Sequence, residues 1–184
     1  MNDPLFEGDD EGATPLTAEE REQLIPSYVT LRRELNELEG SGIADADRWA
    51  FSRRQDVLDE DFLCQLHARM FREVWRWAGK FRTSARNIGV DAWRIRTELR
   101  TLTDDVHYWI EHDTYPADEI AVRFKHRLVS IHPFPNGNGR FSRLTGDLLA
   151  VQLGQKRFSW GGGSLVQPDD LRRRYIEALH AADE

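Results

Sequence analysis

Residues 132–143, HPFPNGNGRFSR, constrain the fold more than any other stretch: a histidine, two prolines, two glycines, two asparagines and two arginines fall within twelve positions. Upstream, Ile120, Val122, Phe124, Leu128, Val129 and Ile131 recur near helical spacing, and Pro133 disfavours helical geometry at the residue before it. The pattern predicts a helix from about 117 to 131 that delivers His132 at its end. Downstream, Phe141, Leu144, Leu148 and Val151 share one face of a second helix that begins near Arg140. Between the two, Gly137 and Gly139 permit positive φ, and alternating glycines can turn successive N–H groups into an anion-binding nest at the second helix's N-terminus.

Arg140 in a first helical turn opposes the macrodipole, at a cost of roughly 0.3 kcal/mol or more unless an anion lies between them. Arg143, three residues on, shares its face, so the two guanidiniums can converge on one polyphosphate. The plainer reading is a glycine-rich turn with solvent-facing arginines. It accounts for the glycines and leaves His132 and the arginine pair as coincidence.

HPFPNGNGRFSR resembles the Fic (Fido) signature, HxFx(D/E)GNGRxxR, and the resemblance extends over about residues 58–175, most like the bacterial subgroup called mobile mystery protein B. It implies a mainly α helical bundle with one short β-hairpin, the flap, and a core over 58–180. It also implies transfer of a nucleotide monophosphate, AMP from ATP first, onto a Ser, Thr or Tyr hydroxyl of a protein. His132 would be the general base. Gly137, Asn138 and Gly139 would hold phosphate oxygens, Arg140 and Arg143 the leaving pyrophosphate, and Phe134 would anchor the loop in the core. The family usually carries Asp or Glu where this chain has Asn136, to ligate Mg²⁺. An amide oxygen can coordinate that cation without supplying charge. The departure leaves transfer of UMP or of phosphate open, as it does a catalytically weak ATP-binding regulator. The subgroup is typically encoded beside a helix-turn-helix partner, which implies a toxin–antitoxin-like pairing.

Composition bounds the rest. A chain of 184 residues suits one domain, here 16–184 behind an acidic arm over 1–15. With 25 basic and 32 acidic side chains the net charge is −7, which argues against nonspecific nucleic-acid binding. The one cysteine, Cys64, lies among apolar neighbours and reads as a small core residue. No apolar run approaches the ~18 residues of a membrane span, and no signal-peptide pattern opens the chain, so a cytoplasmic protein is expected.

Along the chain, Thr17 and Glu20 form a capping-box pattern, and Tyr28, Leu31, Leu35 and Leu38 give one buried stripe on a helix over 27–40 that Gly40 should cap. Glu39 stands in its last turn, against the dipole, and so should have an arginine partner. LNELEG (35–40) resembles the Fic inhibitory pattern (S/T)xxxE(G/N) at Glu39 and Gly40, with Leu35 in place of the hydroxyl residue. That resemblance implies that Glu39 pairs with Arg143 and obstructs ATP. A solvated glutamate beside a capping glycine is the simpler alternative.

Asp59 opens a strong amphipathic helix, in which His67 sits among apolar neighbours as a structural or surface residue rather than a ligand. Trp75 and Trp77 read as packing anchors. Residues 79–90, GKFRTSARNIGV, break the helical period and resemble the flap, with Ile88 and Gly89 as its Ile-Gly pair. A hairpin edge there could take an extended target segment by strand addition, while Lys80, Arg82 and Arg86 could equally be solubilising edge charges. A further helix is expected over 97–112. The loop 156–165 should lie near the nucleotide base by family resemblance, and a last helix should cover 171–179.

Overall fold

The computed structural model describes residues 17–160 apart from Asn87, together with positions 177 and 181. The arm over 1–15, the consecutive glycines at 161–163 and, apart from position 177, the helix expected over 171–179 lie outside those residues. Within them the chain forms α1 (Ala18–Arg21), α2 (Arg32–Phe51), α3 (Glu60–Phe71), α4 (Ile95–Glu111), α5 (Ala117–Ile131) and α6 (Asn138–Gln152), with one 3₁₀ turn, Ala92–Arg94, ahead of α4. The mainly α class holds.

Helix starts follow local chemistry. Thr17 Oγ1 accepts from Glu20 N at 3.3 Å while Glu20 Oε2 accepts from Thr17 N at 2.9 Å, closing the capping box on α1. Asp59 Oδ2 accepts from Phe62 N at 2.9 Å and starts α3. The pair α5 and α6 forms the centre, with α4 packed on α5 and α2 on α3. Ile120, Phe124, Leu128 and Ile131 of α5 meet Phe141, Leu144 and Leu148 of α6, all buried. Each such side chain contributes about 1.5–3 kcal/mol on leaving water, so the packing of α5 on α6 fixes the loop between them.

Two expectations are corrected. The helix expected over 27–40 begins at Arg32 and does not stop at Gly40; α2 runs through Gly40 and Gly42 to Phe51. A Cβ on Gly42 would lie 2.4 Å from the carbonyl oxygen of Met70. That glycine therefore lets α2 and α3 cross closely, which repays its poor helix propensity of about 1 kcal/mol. The flap hairpin does not form among the described residues of 79–90. Its two sides pair with the end of α5 instead: Arg82 N donates to Pro133 O at 2.9 Å and Val90 N to Ile131 O at 3.3 Å. Backbone groups used in this way cannot also form a ladder with each other. Among the described residues β pairing is confined to the bridge Leu24–Trp75.

Candidate active site

The α5–α6 loop is held open as a rigid arch. α5 ends on His132, whose φ of 55° and ψ of 59° place it in the left-handed region, costly for any residue but glycine. Phe134 is fully buried and stacks on His67, with ring centroids 3.7 Å apart. The Asn138 side chain spans the arch, accepting from Phe134 N at 3.0 Å and donating to Phe134 O at 2.8 Å. Gly137 adopts φ 79°, and a Cβ there would meet the Phe71 ring at 2.5 Å. Gly139 is an ordinary helical residue of α6, and nothing lies within 4 Å of where its Cβ would be.

The phosphate cradle expected from the sequence is thereby refined. Positive φ is needed at Gly137 and not at Gly139. The Asn138 side chain is committed to the loop backbone, which leaves the residue's N–H for a phosphate, and Gly137 N donates to Asn136 Oδ1 at 2.6 Å. The first N–H groups of α6 have no intrahelical acceptor, and Gly139 offers them a face free of side chain.

His67, wholly buried, ties this arch to α3. Gly79 N donates to His67 Nδ1 at 3.0 Å, so the ring proton resides on Nε2 and is donated to Asn136 O at 3.1 Å. Burial pushes His67 down to about 3, which keeps the imidazole neutral for both bonds.

His132 is 5% exposed. Burial, and then the Arg82 guanidinium, push its imidazole down to about 4, opposed by a bond to the Val129 backbone and assisted by Arg86. At neutral pH it is therefore unprotonated, as a base must be. A solvated edge was one of two places open to Arg82 from the sequence. Arg82 is 2% exposed and its Nε donates to His132 O at 2.6 Å.

At the other end of the loop, Glu39 has an arginine partner, and the partner is Arg140 rather than Arg143. Glu39 Oε2 accepts from Arg140 Nη1 at 2.7 Å, while Glu39 Oε1 accepts from Trp75 Nε1, also at 2.7 Å. α2 passes the first turn of α6, which puts Arg140 within reach. Arg143 lies one turn further on, where its charge acts on Lys125 of α5. Burial, then Arg143, push Lys125 down to about 8. Cationic charge is thus concentrated beside the arch, and Glu39 answers part of it.

The segment after α6 is folded back by Asp147, which is buried and accepts from Phe158 N at 3.1 Å and Trp160 Nε1 at 3.0 Å. Arg157 bridges Asp147 to Asp47 of α2. Trp160 stands over Lys125 Nζ, 5.6 Å from the ring centroid. Ile88 is 46% exposed, and Gly89, at φ 93°, lies against His132: a Cβ there would be 2.6 Å from His132 Cβ.

The sequence reading missed Arg82, Asp147 and the bond from Trp75 to Glu39, and left His67 undecided. His67 alone carried a usable signal, a polar ring among apolar helix positions. Among the described residues no group of His, Cys, Asp and Glu side chains has the composition of a metal cluster, and no helix is long and apolar enough to cross a membrane.

Comparison with known proteins accords with this geometry. The model of the Fic/DOC family matches residues 57–150. A protein adenylyltransferase fic-1 from Caenorhabditis elegans is 26% identical over 140 residues, covering 72% of this chain and 25% of the relative. The counterpart from Caenorhabditis briggsae is 28% identical over 137 residues, with the same shares. The chain thus spans about a quarter of the length of these curated relatives. Among solved structures, the N-terminal Fic domain of a VirB-translocated Bep effector protein from Bartonella quintana superposes with a TM-score of 0.68 at 18% identity, covering 89% of this chain and 86% of that one. BepC from Bartonella tribocorum, with bound AMPPNP, gives 0.67 at 18% identity over 89% and 90%. At that identity the two structures bear on the fold alone.

Proposed function

The chain belongs to the Fic/DOC family, and from that membership we propose that it is a protein adenylyltransferase that moves AMP from ATP to a hydroxyl side chain of a target protein or of itself. The observation that carries the reading is the arch itself, which holds a neutral imidazole at one end and arginines on a helix N-terminus at the other. His132 takes the proton of the incoming hydroxyl as that oxygen attacks the α-phosphorus; the bond from the α-phosphorus to the bridging oxygen breaks, and pyrophosphate leaves. Arg140, Arg143 and the N–H groups at Asn138 and Gly139 stabilise the charge that collects on the departing phosphates. Bound triphosphate charge acts on His132 in the opposite sense to Arg82 and Arg86, raising its basicity when substrate is present.

Mg²⁺ would be held mainly by the ATP phosphates, with Asn136 Oδ1, which also accepts from Gly137 N, as one neutral protein ligand, and it would neutralise phosphate charge. Glu39 is the inhibitory residue in this reading, since it holds the arginine that the phosphates require. Gly89 borders His132 and, with the exposed Ile88, receives the target segment. Resemblance to mobile mystery protein B extends the proposal to a bacterial, cytoplasmic enzyme working beside a helix-turn-helix partner protein.

One experiment tests the core of this. The purified protein is incubated with ATP and Mg²⁺ and weighed by mass spectrometry as wild type, Glu39→Gly and Glu39→Gly/His132→Ala. Glu39→Gly should gain one AMP, and the double variant none. The neutral amide at Asn136 favours a second reading, phosphate transfer, and label from the γ rather than the α position of ATP appearing on the protein would select it.

A further inference from the structure

Nothing in the signature assigns a role to Arg82, yet its side chain bonds directly to the backbone of the base. Its Nε donates to His132 O at 2.6 Å, Nη1 to Ser84 O at 2.9 Å, and Nη2 to Val90 O and, at 3.4 Å, to Ile131 O. Its own backbone N donates to Pro133 O. Two of those carbonyls, at Ile131 and His132, belong to the end of α5, where the macrodipole is negative and a buried cation is favoured. The fork of a guanidinium can serve several acceptors in fixed directions, which a lysine ammonium cannot reproduce.

We propose that Arg82 is a positioning residue for the transfer reaction, gathering the carbonyls of Ser84, Val90, Ile131 and His132 so that the left-handed backbone of His132, and with it the place of the base in the arch, is fixed. The proposal rests on the activity assigned above. Left-handed geometry costs a histidine roughly 1 kcal/mol or more, and without the fork the loop can relax to a cheaper conformation that carries the imidazole elsewhere. Gly89 is part of the same device: a Cβ there would stand 2.9 Å from Arg82 Nη2 and 2.6 Å from His132 Cβ, so only glycine lets the fork approach. The charged groups that bear on His132 are Arg82 and Arg86. Glu20 of α1 accepts from Arg86 Nη2, and together with Asp91 it opposes the charge of Arg82. Arg82 therefore has two separable effects on the base, one through geometry and one through charge.

Arg82→Lys and Arg82→Gln in a Glu39→Gly background separate them. Self-modification by ATP should slow roughly 10- to 100-fold in both, with KM for ATP changed by less than about threefold, since a displaced base costs rate rather than nucleotide binding. The His132 Cε1 proton, followed by NMR, should titrate near its parental position in Arg82→Lys and move upward in Arg82→Gln. Rates within about twofold of the parent in variants that melt cooperatively would overturn the proposal. If the Arg82 variants do not melt cooperatively, Gly89→Ala is judged by the same rate and KM criteria. If the Glu39→Gly parent transfers nothing, the activity reading fails separately, and His132 backbone chemical shifts that keep their left-handed values in both Arg82 variants would then overturn the present inference.

Discussion

The two ends of the 132–143 arch are held by different means. At His132 the contacts run to backbone: Arg82 on carbonyl oxygens, Val90 N on Ile131 O, and His67 bonded to Asn136 O behind the loop. At Arg140 the hold is a side-chain pair with Glu39, 101 positions away along the chain, on an arginine whose side chain is 33% exposed. The base end is therefore held by groups that the packed helices bring together, and Glu39 has no part in that hold. The arginine end is closed by two side chains and can open while the helices stay in place. On the proposed reading, a switched site gains from that division, because release of Glu39 frees Arg140 while His132 stays where it is.

The largest test strikes the built end. Folded His132 and His67 are held down to about 4 and about 3, while the unfolded chain takes up protons near the ordinary 6.5. The unfolded state thus binds more protons below neutrality. The stability from these rings is fully present above about pH 6.5 and is lost as pH falls through about 4 for His132 and about 3 for His67. Urea midpoints should fall steadily from pH 7 to pH 4.5. His67→Phe, which keeps a ring against Phe134, should give a lower midpoint at pH 7 and a flatter profile; a slope as steep as wild type would show that His67 is not a source of the acid sensitivity.

A smaller effect is expected from Gly137→Ala. The new methyl group meets the Phe71 ring at 2.5 Å in a left-handed backbone, and strain with overpacking together should cost about 3 kcal/mol. Thermal melting should show the loss. A variant as stable as wild type would mean that the arch can shift away from α3, and the contrast between a fixed and a movable end would weaken.

How much of this was legible beforehand follows the same division. The helices on either side of the arch were readable because Phe124, Leu128, Phe141 and Leu148 repeat at helical spacing and Pro133 stops the first. The turn at Gly137 was readable because glycine between two helices permits positive φ. Gly40 misled the reading because a glycine inside a helix looks, in one dimension, like one that ends it. Arg82 and Asp147 could not be read at all: their roles depend on carbonyls and amides brought together by the fold, and nothing in their neighbours marks a buried charge. Glu39 was given an arginine partner from a place in a last helical turn that it does not have, since α2 runs on to Phe51, and the partner was misassigned by one turn because the crossing of α2 over α6 is a tertiary fact.

The smallest test sharpens the movable end. Trp75 Nε1 donates to Glu39 Oε1, and its ring stacks on Trp77 with centroids 5.0 Å apart. Trp75→Phe keeps the stacking and removes the donor, leaving a buried carboxylate with one bond fewer. A lost bond to a charged acceptor costs roughly 1–3 kcal/mol. Part of that cost falls on the closed arrangement alone, since Glu39 released from Arg140 can turn to water. ATP should therefore bind about 3- to 10-fold more tightly to Trp75→Phe than to wild type by calorimetry, with Glu39→Gly tighter still, because only the differential cost between closed and open states reaches the ligand. Unchanged ATP affinity in Trp75→Phe beside a clear gain in Glu39→Gly would assign the hold on Arg140 to the ion pair alone.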